Sequence, residues 1–573
     1  MIALAKRIVK DESAIWEVSN AVRSIVGVSY ESVFAASYII LLIKEDNGKA
    51  SDYEDLRRNC DLDEEVDLFL RRYLDIETDW LAFVDRSRVL GKESLENTIL
   101  FLVDQNTQRF GGVNSTPDCV CKLVSQIMDI QDGDKIADIC CGVGSFLTYA
   151  SNENDISVYG SEINVESAIF CKIRMQVLGN NADIKLCNAL DVDPVEINAN
   201  KAFSNYPWGM RMDDNMKNTA LGMLVSEIPE FAKCRDTEWV FNYALLLSTK
   251  EDGISVGIMS NGRTSDGLSQ AVRKLFVEKG YIKAVISLPG NLFTGTSIPS
   301  TMIVMSRGNT EVMFVNASEM YEQGRRKNTI TDKDVAKIAK ACFEESSISK
   351  LVSKDEIAAN DYNLSPAKFF AEEIALENGS PFGAVIKSIR RGAQLKAQEL
   401  DSCASTEKTP YQYLMLSNIS NGLIDEDLPY LTSLDEKQEK FCLKNGDLII
   451  SKIGSPTKVA VAEVEDGKKI IANGNLFLVE IDTQKANPYY IKAFLESPKG
   501  QALIERVQVG VVMKSISVEQ IKNIVIPLIP LEKQNELASM YQAKIDSLRL
   551  QKKRYEKTLK EISSIYELWE EGV

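Results

Sequence analysis

A short segment with residue types suited to chemistry on an exocyclic amine lies in KAFSNYPWGMRM, residues 201–212. The amine of adenine is a poor nucleophile because its lone pair is delocalised into the ring. The side-chain oxygen of Asn205 and the backbone carbonyl of Tyr206 can each accept a hydrogen bond from such an amine, which raises the electron density on its nitrogen. Pro207 biases the preceding residue towards an extended backbone, and Trp208 can stack on a base. The same four residues also suit an ordinary surface turn, so a second motif is needed to decide.

A glycine loop upstream has the pattern of a nucleotide-binding turn. In KIADICCGVGSFL, residues 135–147, a short apolar run ends at Gly142 and Gly144, and a helical pattern follows. The segment SVYGSEIN then predicts a second strand that ends near Glu162. That acid lies about 20 residues beyond the loop, where such folds place a carboxylate for ribose hydroxyls. The spacing favours an adenosine-containing cofactor, and Leu147 in place of the third glycine of GxGxxG argues against a dinucleotide.

With both segments in view, most of residues 1–370 resembles the N6-adenine DNA methyltransferases that form the modification subunits of type I restriction systems. DICCGVGSF is similar to the first motif of that family, and NYPW is similar to its Asn-Pro-Pro-aromatic turn. The resemblance implies a Rossmann-like methyltransferase core that uses S-adenosyl-L-methionine, with catalytic residues Asn205, Tyr206, Pro207 and Trp208. It implies that the cofactor is bound by Asn114, Ser115, Thr116, Pro117, Asp118, Asp138, Gly142, Gly144, Ser145, Phe146, Glu162 and Asn188. For Asn188, an ordinary loop asparagine is an open alternative.

Two positions depart from the family pattern. Tyr206 stands where the family usually has its first proline, so the backbone carbonyl survives but some rigidity is lost. Tyr243 stands where the family often has a histidine, and the chain contains no histidine at all. Methyl transfer does not need imidazole, because the sulfonium provides the driving force and the displaced proton can pass to water. The missing histidine also excludes HNH-type nucleases, His-Cys zinc sites and Ser-His-Asp hydrolases, and no metal site is predicted.

Other features of the sequence limit its location and its activities. It shows no signal peptide and no apolar run of the roughly 18 residues that a membrane span needs, so we expect a soluble, cytoplasmic protein without a membrane partner. Its 11 cysteines form no Cys-x-x-Cys pair and are expected to be reduced and inert. The chain has no GxxxxGK[ST] loop, so we do not expect it to translocate DNA by ATP hydrolysis, and a separate restriction/translocase subunit is a possible partner.

Composition divides the chain into predicted domains of a multidomain α/β protein. Residues 1–110 are rich in helix formers and predict a helical N-terminal domain, and residues 111–370 contain the predicted methyltransferase core. The net charge of the chain is −17, but residues 380–573 carry as many basic as acidic residues, so the acidic excess lies in the first part. An acidic catalytic part repels DNA unless its cleft concentrates positive charge.

The last third resembles half of a type I specificity subunit, in segments such as KNGDLIISKIGSP and NPYYIKAFLESPKGQALI. The resemblance implies one α/β target-recognition domain, residues 380–530, followed by a long coiled-coil helix, residues 531–573. Apolar residues recur along that helix in steps of four and three, with one polar member. This seam consists of Tyr541, Ile545, Leu548, Lys552, Tyr555, Leu559, Ile562, Tyr566 and Trp569. It predicts pairing with a second copy or a specificity-like partner, although a helix packed on its own domain gives a similar pattern.

The predicted function is site-specific methylation of N6 of a flipped adenine in double-stranded DNA, within a restriction-modification or phage-defence system. A dimer would then read a symmetric, interrupted target. One alternative is a DNA-binding specificity or defence component that no longer turns over, with Tyr206 as the lesion. N4-cytosine methylation is another, although those enzymes usually have Ser before the two prolines. A protein or RNA methyltransferase is a third, and the recognition-like last third argues against it.

Overall fold

A computed structural model describes residues 8–105, 115–325, 327–370, 376–395, 399, 402–508 and 514–564. The chain forms two compact units, Met1–Phe370 and Ala371–Val573, called here unit one and unit two. Unit one contains a large mixed sheet with helices packed on it, so the predicted α/β class is confirmed. The finer domain boundaries at residues 110, 370, 380 and 530 stay predictions.

Unit one begins with helices that surround a buried apolar helix, α2. The sequence of α2, YESVFAASYIILLIKE, is apolar on nearly every face, and such a helix is stable only when neighbours cover it on all sides. Phe34 of α2 packs edge-to-face on Phe170, with ring centroids 4.6 Å apart, so these helices share a core with the part that follows. The described helices before the sheet are α1 (Glu12–Val26), α2 (Tyr30–Glu45), α3 (Tyr53–Asn59), α4 (Glu64–Tyr73), α5 (Ile76–Val89) and α6 (Lys92–Phe101).

In the part of the chain that the structure describes, no single helix has both the length and the apolar character to cross a membrane. Helices α1 and α2 meet that test only when taken together, and the pair is bent by 100°.

Nine strands among the described residues of unit one form one sheet, in the order β3-β2-β1-β4-β5-β7-β6-β8-β9. The strands are β1 (Lys135–Asp138), β2 (Ser157–Glu162), β3 (Asn181–Leu186), β4 (Ala199–Ser204), β5 (Thr249–Ser260), β6 (Ile282–Ser287), β7 (Ser300–Met305), β8 (Glu311–Asn316) and β9 (Ser349–Ser353). The described helices that accompany them are α7 (Asp118–Met128), α8 (Ser145–Glu153), α9 (Val165–Leu178), α10 (Pro194–Ile197), α11 (Asp214–Lys217), α12 (Ala220–Ser226), α13 (Glu238–Leu247), α14 (Gln270–Glu278), α15 (Asp332–Ala341), α16 (Lys354–Ala359) and α17 (Pro366–Phe370).

The order of the strands reverses next to β1. Strands β2 and β3 lie on one side of β1, the later strands β4 and β5 lie on the other, and all five are parallel. Strand β7 is inserted antiparallel between β5 and β6. Where the order of a parallel sheet reverses, the loops leaving the carboxyl ends of the two central strands separate and open a crevice. In this protein that crevice lies above the ends of β1 and β4.

Unit two is built from small sheets, of which two in the described residues have four strands each, in the orders β11-β20-β17-β18 and β12-β16-β13-β19. Its described strands are β10 (Gly379–Pro381), β11 (Ile386–Arg391), β12 (Ala404–Ser405), β13 (Tyr411–Leu414), β14 (Ile419–Ser420), β15 (Leu423–Ile424), β16 (Tyr430–Leu431), β17 (Leu448–Ser451), β18 (Val459–Val461), β19 (Lys469–Ala472), β20 (Leu476–Ile481) and β21 (Val525–Pro527). Its described helices are α18 (Glu436–Glu439), α19 (Pro488–Glu496), α20 (Pro498–Val507), α21 (Val518–Asn523) and α22 (Leu531–Ser563).

Helix α22 is 33 residues long and carries the seam predicted from the sequence. As far along as Lys552, the helix contacts its own unit: Tyr541 accepts a hydrogen bond from Lys492 Nζ at 2.8 Å, and Lys552 forms an ion pair with Asp425 at 2.9 Å. The single polar member of the seam therefore has a local partner. Further along, Tyr555, Leu559 and Ile562 are 65, 46 and 58% exposed. Tyr566 and Trp569 lie outside the described residues.

Candidate active site

The carboxyl ends of β1, β2 and β4 bring the two predicted motifs to one edge of the sheet. Asp138, the last residue of β1, is paired with Gly160 on β2 and with Phe203 on β4. Glu162 and Asn205 each lie two residues beyond those partners. Neighbouring strands are about 4.8 Å apart and rise about 3.3 Å per residue, so the Cα atoms of Glu162 and Asn205 lie on the order of 8 Å from that of Asp138. The glycine loop after β1 and the turn after β4 are therefore neighbours.

Glu162 holds the glycine loop in place with its carboxylate. Its Oε2 accepts a hydrogen bond from the Gly142 N–H at 2.9 Å, and its Oε1 accepts one from the Asn164 N–H at 2.8 Å. Each carboxylate oxygen can accept more than one hydrogen bond, so capacity remains for the hydroxyls of a ribose. The role predicted for Glu162 is compatible with this geometry and stays a prediction.

Gly144 occupies a position that no other residue fits. Its φ is +79°, and a Cβ built on it would lie 2.5 Å from Cys171 Sγ and 3.3 Å from Cys171 Cα. The loop thus passes against α9 with no room for a side chain. Helix α8 begins directly after Gly144, and within the described residues no side chain caps its first N–H groups. These donors remain available to a ligand in the crevice.

Asp138 is a buried carboxyl at the bottom of the crevice. Its Oδ1 accepts a hydrogen bond from the Cys140 N–H at 3.1 Å. Burial raises the pKa of Asp138 to about 7, and the bond from Cys140 opposes that rise. The charge of this carboxyl therefore changes near neutral pH.

Ser145 is tied to the N-terminal part of unit one. Its Oγ donates to Asp104 Oδ1 at 2.6 Å, and Asp104 forms a buried ion pair with Arg174 at 2.5 Å. Arg174 also donates to the backbone carbonyl of Val143 in the glycine loop, at 2.9 Å. The sequence reasoning missed Asp104 and Arg174, because each is an ordinary charged residue of a helical segment and nothing in the sequence pairs them.

The other predicted cofactor residues are distributed around the same crevice and its supporting helices. Phe146 is buried with its ring against Phe203, at 4.4 Å between centroids. Asn188 lies after β3 at the same edge, and its Oδ1 accepts a hydrogen bond from the Leu190 N–H at 3.1 Å. This bond is the one expected of a loop asparagine, so both interpretations of Asn188 remain open.

The segment before α7 was also predicted to touch the cofactor. Asn114 lies outside the described residues. Residues 115–117 are buried and lead directly into α7. Asp118, the first residue of α7, is exposed and lies 3.7 Å from Lys10 in an ion pair. The cofactor contacts assigned to this segment stay predictions.

The turn after β4 presents two unused hydrogen-bond acceptors. Asn205 is half-buried, and its side chain forms no hydrogen bond with any other residue that the structure describes. The carbonyl of Tyr206 likewise receives no hydrogen bond from a described donor. These are the two groups that the sequence assigned to an exocyclic amine. Pro207 is exposed at the outside of the turn.

Tyr206 is anchored by its side chain, which the sequence did not anticipate. The ring is 1% exposed and stacks on Phe241 at 5.2 Å with 13° between the planes. A Cβ on Gly257 would collide with the side chain of Asn242 and lie 3.1 Å from the Tyr206 ring, so a glycine is required behind the turn. Burial raises the pKa of Tyr206 well above its usual value, which keeps its hydroxyl neutral. The rigidity lost with the family's proline is thus compensated by packing. Tyr243, at the position where the family that the sequence resembles often has a histidine, lies against Phe276, at 6.2 Å between ring centroids.

Trp208 is held in one orientation by the neighbouring strand. Its indole Nε1–H donates to the carbonyl of Ile258 on β5 at 2.9 Å. The ring of Phe293 meets it edge-on, at 5.1 Å between centroids and 78° between planes. The indole is half-buried, so part of its surface remains open to a ligand. A fixed, partly open aromatic ring is suited to stacking on a planar base.

The fold is one that restriction enzymes also adopt. A solved structure of the type IIG restriction endonuclease BpuSI superposes with a TM-score of 0.52 and 14% identity, and the match covers 93% of this chain and 75% of that chain. A glycine loop at the switch point of a parallel sheet is typical of α/β proteins that bind nucleotide-like ligands. Residues 97–378 match the model of the N-6 DNA methylase family, and residues 392–560 match that of the type I restriction modification DNA specificity domain.

Curated relatives match the two parts separately. The MjaIX methylase subunit of a type I restriction enzyme from Methanocaldococcus jannaschii is 24% identical in an alignment over 312 residues that covers 49% of this chain and 55% of the relative. A putative MjaX specificity subunit from the same organism is 29% identical over 163 residues, or 27% of this chain and 36% of the relative. The chain thus spans about half the length of the methylase relative, and it fuses a methylase part to one specificity domain.

Proposed function

We propose that this chain transfers a methyl group from S-adenosyl-L-methionine to N6 of an adenine in double-stranded DNA, as part of a restriction-modification or phage-defence system. The observation that carries the proposal is the register of β1, β2 and β4. This register sets the glycine loop and Glu162 beside a turn whose Asn205 amide and Tyr206 carbonyl have no partner in the described part of the chain. The match of residues 97–378 to the N-6 DNA methylase family supports the same reaction.

The crevice fits the cofactor by the chemistry of its lining. Gly142 and Gly144 let the backbone approach a ligand, Glu162 retains acceptor capacity for ribose hydroxyls, and the first N–H groups of α8 are uncapped by described side chains. When bound there, the cofactor supplies the methyl group. The chain itself provides binding and orientation, which account for most of the rate in a reaction of this kind.

The turn orients the nucleophile. The target adenine must leave the duplex, which costs a few kcal/mol, and stacking on Trp208 offsets part of that cost. Asn205 Oδ1 and the Tyr206 carbonyl then accept the two hydrogens of the amine, which increases the electron density on N6 as the methyl arrives. Because the chain has no histidine, the amine proton passes to water.

Unit two provides the recognition of DNA in this proposal, since the specificity domain lies within it. The exposed residues Tyr555, Leu559 and Ile562 are spaced by four and three along α22, which suits pairing with the same helix of a second copy or with a specificity-like partner. A homodimer would carry two recognition domains and read a symmetric, interrupted target. Restriction would come from a separate nuclease and translocase subunit.

The decisive experiment measures transfer of tritiated methyl groups to bulk DNA by wild type, by Asn205→Ala and by Asn215→Ala. Asn215 is an exposed residue of α11 and is the matched control. We expect Asn205→Ala to lose transfer by at least 100-fold and to keep its affinity for the cofactor, measured by calorimetry, because only the acceptor for the amine is removed. Asn215→Ala should remain within about twofold of wild type.

Three results would change the conclusion. Full transfer by Asn205→Ala would refute the catalytic assignment. A wild-type chain that binds cofactor and DNA but transfers nothing would favour the alternative of a specificity component impaired at Tyr206. Long-read sequencing of DNA from a host that carries the gene would identify the modified base, and modified cytosine in place of adenine would indicate an N4-cytosine enzyme.

A further inference from the structure

A buried carboxylate outside both sequence motifs contacts the catalytic turn. Glu238, the first residue of α13, is 0% exposed. Its Oε1 accepts a hydrogen bond from the N–H of Gly209, the residue after Trp208, at 3.0 Å. Its Oε2 accepts a hydrogen bond from the N–H of Ser260, the last residue of β5, at 2.7 Å. The Ser260 hydroxyl also donates to Oε1, at 2.9 Å. One carboxylate therefore bridges the end of the turn and the end of the neighbouring strand.

Backbone hydrogen bonds position Glu238 next to the end of the turn. Residues 210–212 run beside residues 235–237: the Thr237 N–H donates to the Met210 carbonyl at 3.0 Å, and the Met212 N–H donates to the Arg235 carbonyl at 2.9 Å. This short ladder closes the loop that follows the turn and fixes the start of α13 next to Gly209. The contact is thus a consequence of local backbone pairing rather than of a flexible side chain reaching across the crevice.

The charge of Glu238 is partly compensated. Arg263, which follows β5, lies with its Nε 3.5 Å from Glu238 Oε1 and its Nη1 3.4 Å from Asp236 Oδ2. A buried carboxylate is costly unless it is hydrogen-bonded and near a positive charge, and Glu238 has both. Asp236 shares the same arginine and is also buried, but its side chain makes no hydrogen bond to the turn within the described residues.

The turn is otherwise anchored to β5 through the bond between Trp208 Nε1 and the Ile258 carbonyl. We propose that Glu238 is a positioning residue for methyl transfer: its carboxylate fastens the backbone after Trp208 to Ser260, and so fixes the direction in which Asn205 and the Tyr206 carbonyl face the amine. A displacement of about 1 Å in such a group can cost about 100-fold in rate. This inference rests on the proposed function and adds a residue to its site.

The test compares Glu238→Gln with Asp236→Asn in the full-length chain. Glutamine keeps the size of the side chain, but its NH2 group must face one of the two backbone N–H donors, so one anchoring bond is lost. We expect the single-turnover rate of methyl transfer to fall about 10- to 100-fold, with cofactor and DNA dissociation constants and the urea midpoint of unfolding close to wild type. Asp236→Asn changes a buried acid beside the same arginine and should keep the rate within about threefold.

Ser260→Ala provides a graded second variant, because it removes the hydroxyl donor and keeps the backbone N–H. It should lower the rate about threefold to tenfold, and it decides the question if Glu238→Gln does not fold. A rate for Glu238→Gln within threefold of wild type would overturn the proposal. A fall in the rate that is accompanied by an equal fall in cofactor affinity and by a lower urea midpoint would also overturn it, since that pattern indicates general destabilisation. If wild type itself transfers no methyl group to DNA, the proposed function fails, and this outcome is separate from both of the others.

Discussion

Gly144 offers the sharpest test of how tightly the glycine loop packs against its neighbours. Replacing it with alanine has two costs. The φ of +79° lies in the left-handed region, where a side chain costs about 1–2 kcal/mol. The added Cβ would also lie 2.5 Å from Cys171 Sγ and 3.1 Å from Cys171 Cβ, and such an overlap in a packed core typically costs about 1–3 kcal/mol. The free energy of unfolding should therefore fall by about 2–5 kcal/mol.

Gly133→Ala is the matched control. Its φ of +86° carries the same backbone cost, but nothing lies within 4 Å of a Cβ built there. We expect Gly133→Ala to lose only about 1–2 kcal/mol, so the difference between the two variants isolates the collision with α9. Urea unfolding gives both free energies, and calorimetry with the cofactor reports whether the displaced loop also loses affinity. We expect at least a tenfold loss for Gly144→Ala and none for Gly133→Ala.

Combining Gly144→Ala with Cys171→Ala tests whether the collision with α9 causes the loss of stability. Cys171→Ala removes the sulfur that the new Cβ would meet, so Gly144→Ala should cost less in that background than in wild type. If Gly144→Ala and Gly133→Ala destabilise the protein equally, the close approach of the loop to α9 is wrong. If Gly144→Ala loses stability but binds the cofactor as wild type does, the loop does not contribute to the cofactor site.

Two further predictions concern charge and assembly. Burial raises the pKa of Asp138 from 3.8 to about 7 in the folded protein, so the folded state binds this proton more tightly than the unfolded state does. The carboxyl therefore lowers the free energy of unfolding progressively as the pH rises from about 4 to about 7. Asp138→Asn keeps an acceptor for the Cys140 N–H, and its free energy of unfolding should exceed that of wild type by up to about 4 kcal/mol at pH 8 and by less than about 1 kcal/mol at pH 4. An equal effect at both pH values, measured by urea unfolding, would contradict this prediction. On α22, Leu559→Glu should convert a dimer of the full chain to monomer in analytical ultracentrifugation, whereas Thr558→Glu should not; a monomeric wild type at micromolar concentration would refute pairing through this helix.

The sequence predicted the elements around the site better than the contacts that support it. The apolar run at residues 135–138, the glycines after it and the strand ending at Glu162 are local patterns, and the structure contains the strand, loop and helix that they indicate. By contrast, the bond from Gly209 to Glu238 joins residues 29 positions apart, and the bond from Ser145 to Asp104 joins residues 41 apart. Such pairs depend on how distant segments pack, and the types of the residues alone do not show them.

The substitution at Tyr206 illustrates the same limit. From the sequence, a tyrosine in place of the family's proline removes a rigid ring from the backbone. In the structure, the tyrosine ring stacks on Phe241, and it lies so close to Gly257 that a side chain there would contact it. Burial of the Tyr206 side chain can replace the constraint that a proline places on φ. The sequence does not show this, because the residues that bury the ring are distant along the chain. Likewise, Lys552 interrupted the apolar seam in the sequence, and its partner Asp425 lies 127 residues away.

The buried pair of Arg174 and Asp104 joins the N-terminal part of unit one to the glycine loop. Arg174 donates to the carbonyls of Leu100 and Val143 at the same time, so one guanidinium spans the end of the first helical group and the turn after β1. A truncated protein beginning at residue 115 would leave that cation facing a void, with the hydroxyl of Ser145 deprived of its acceptor. The segment that contains Leu100 and Asp104 therefore supports the glycine loop, and a minimal fragment that keeps this loop intact has to include that segment.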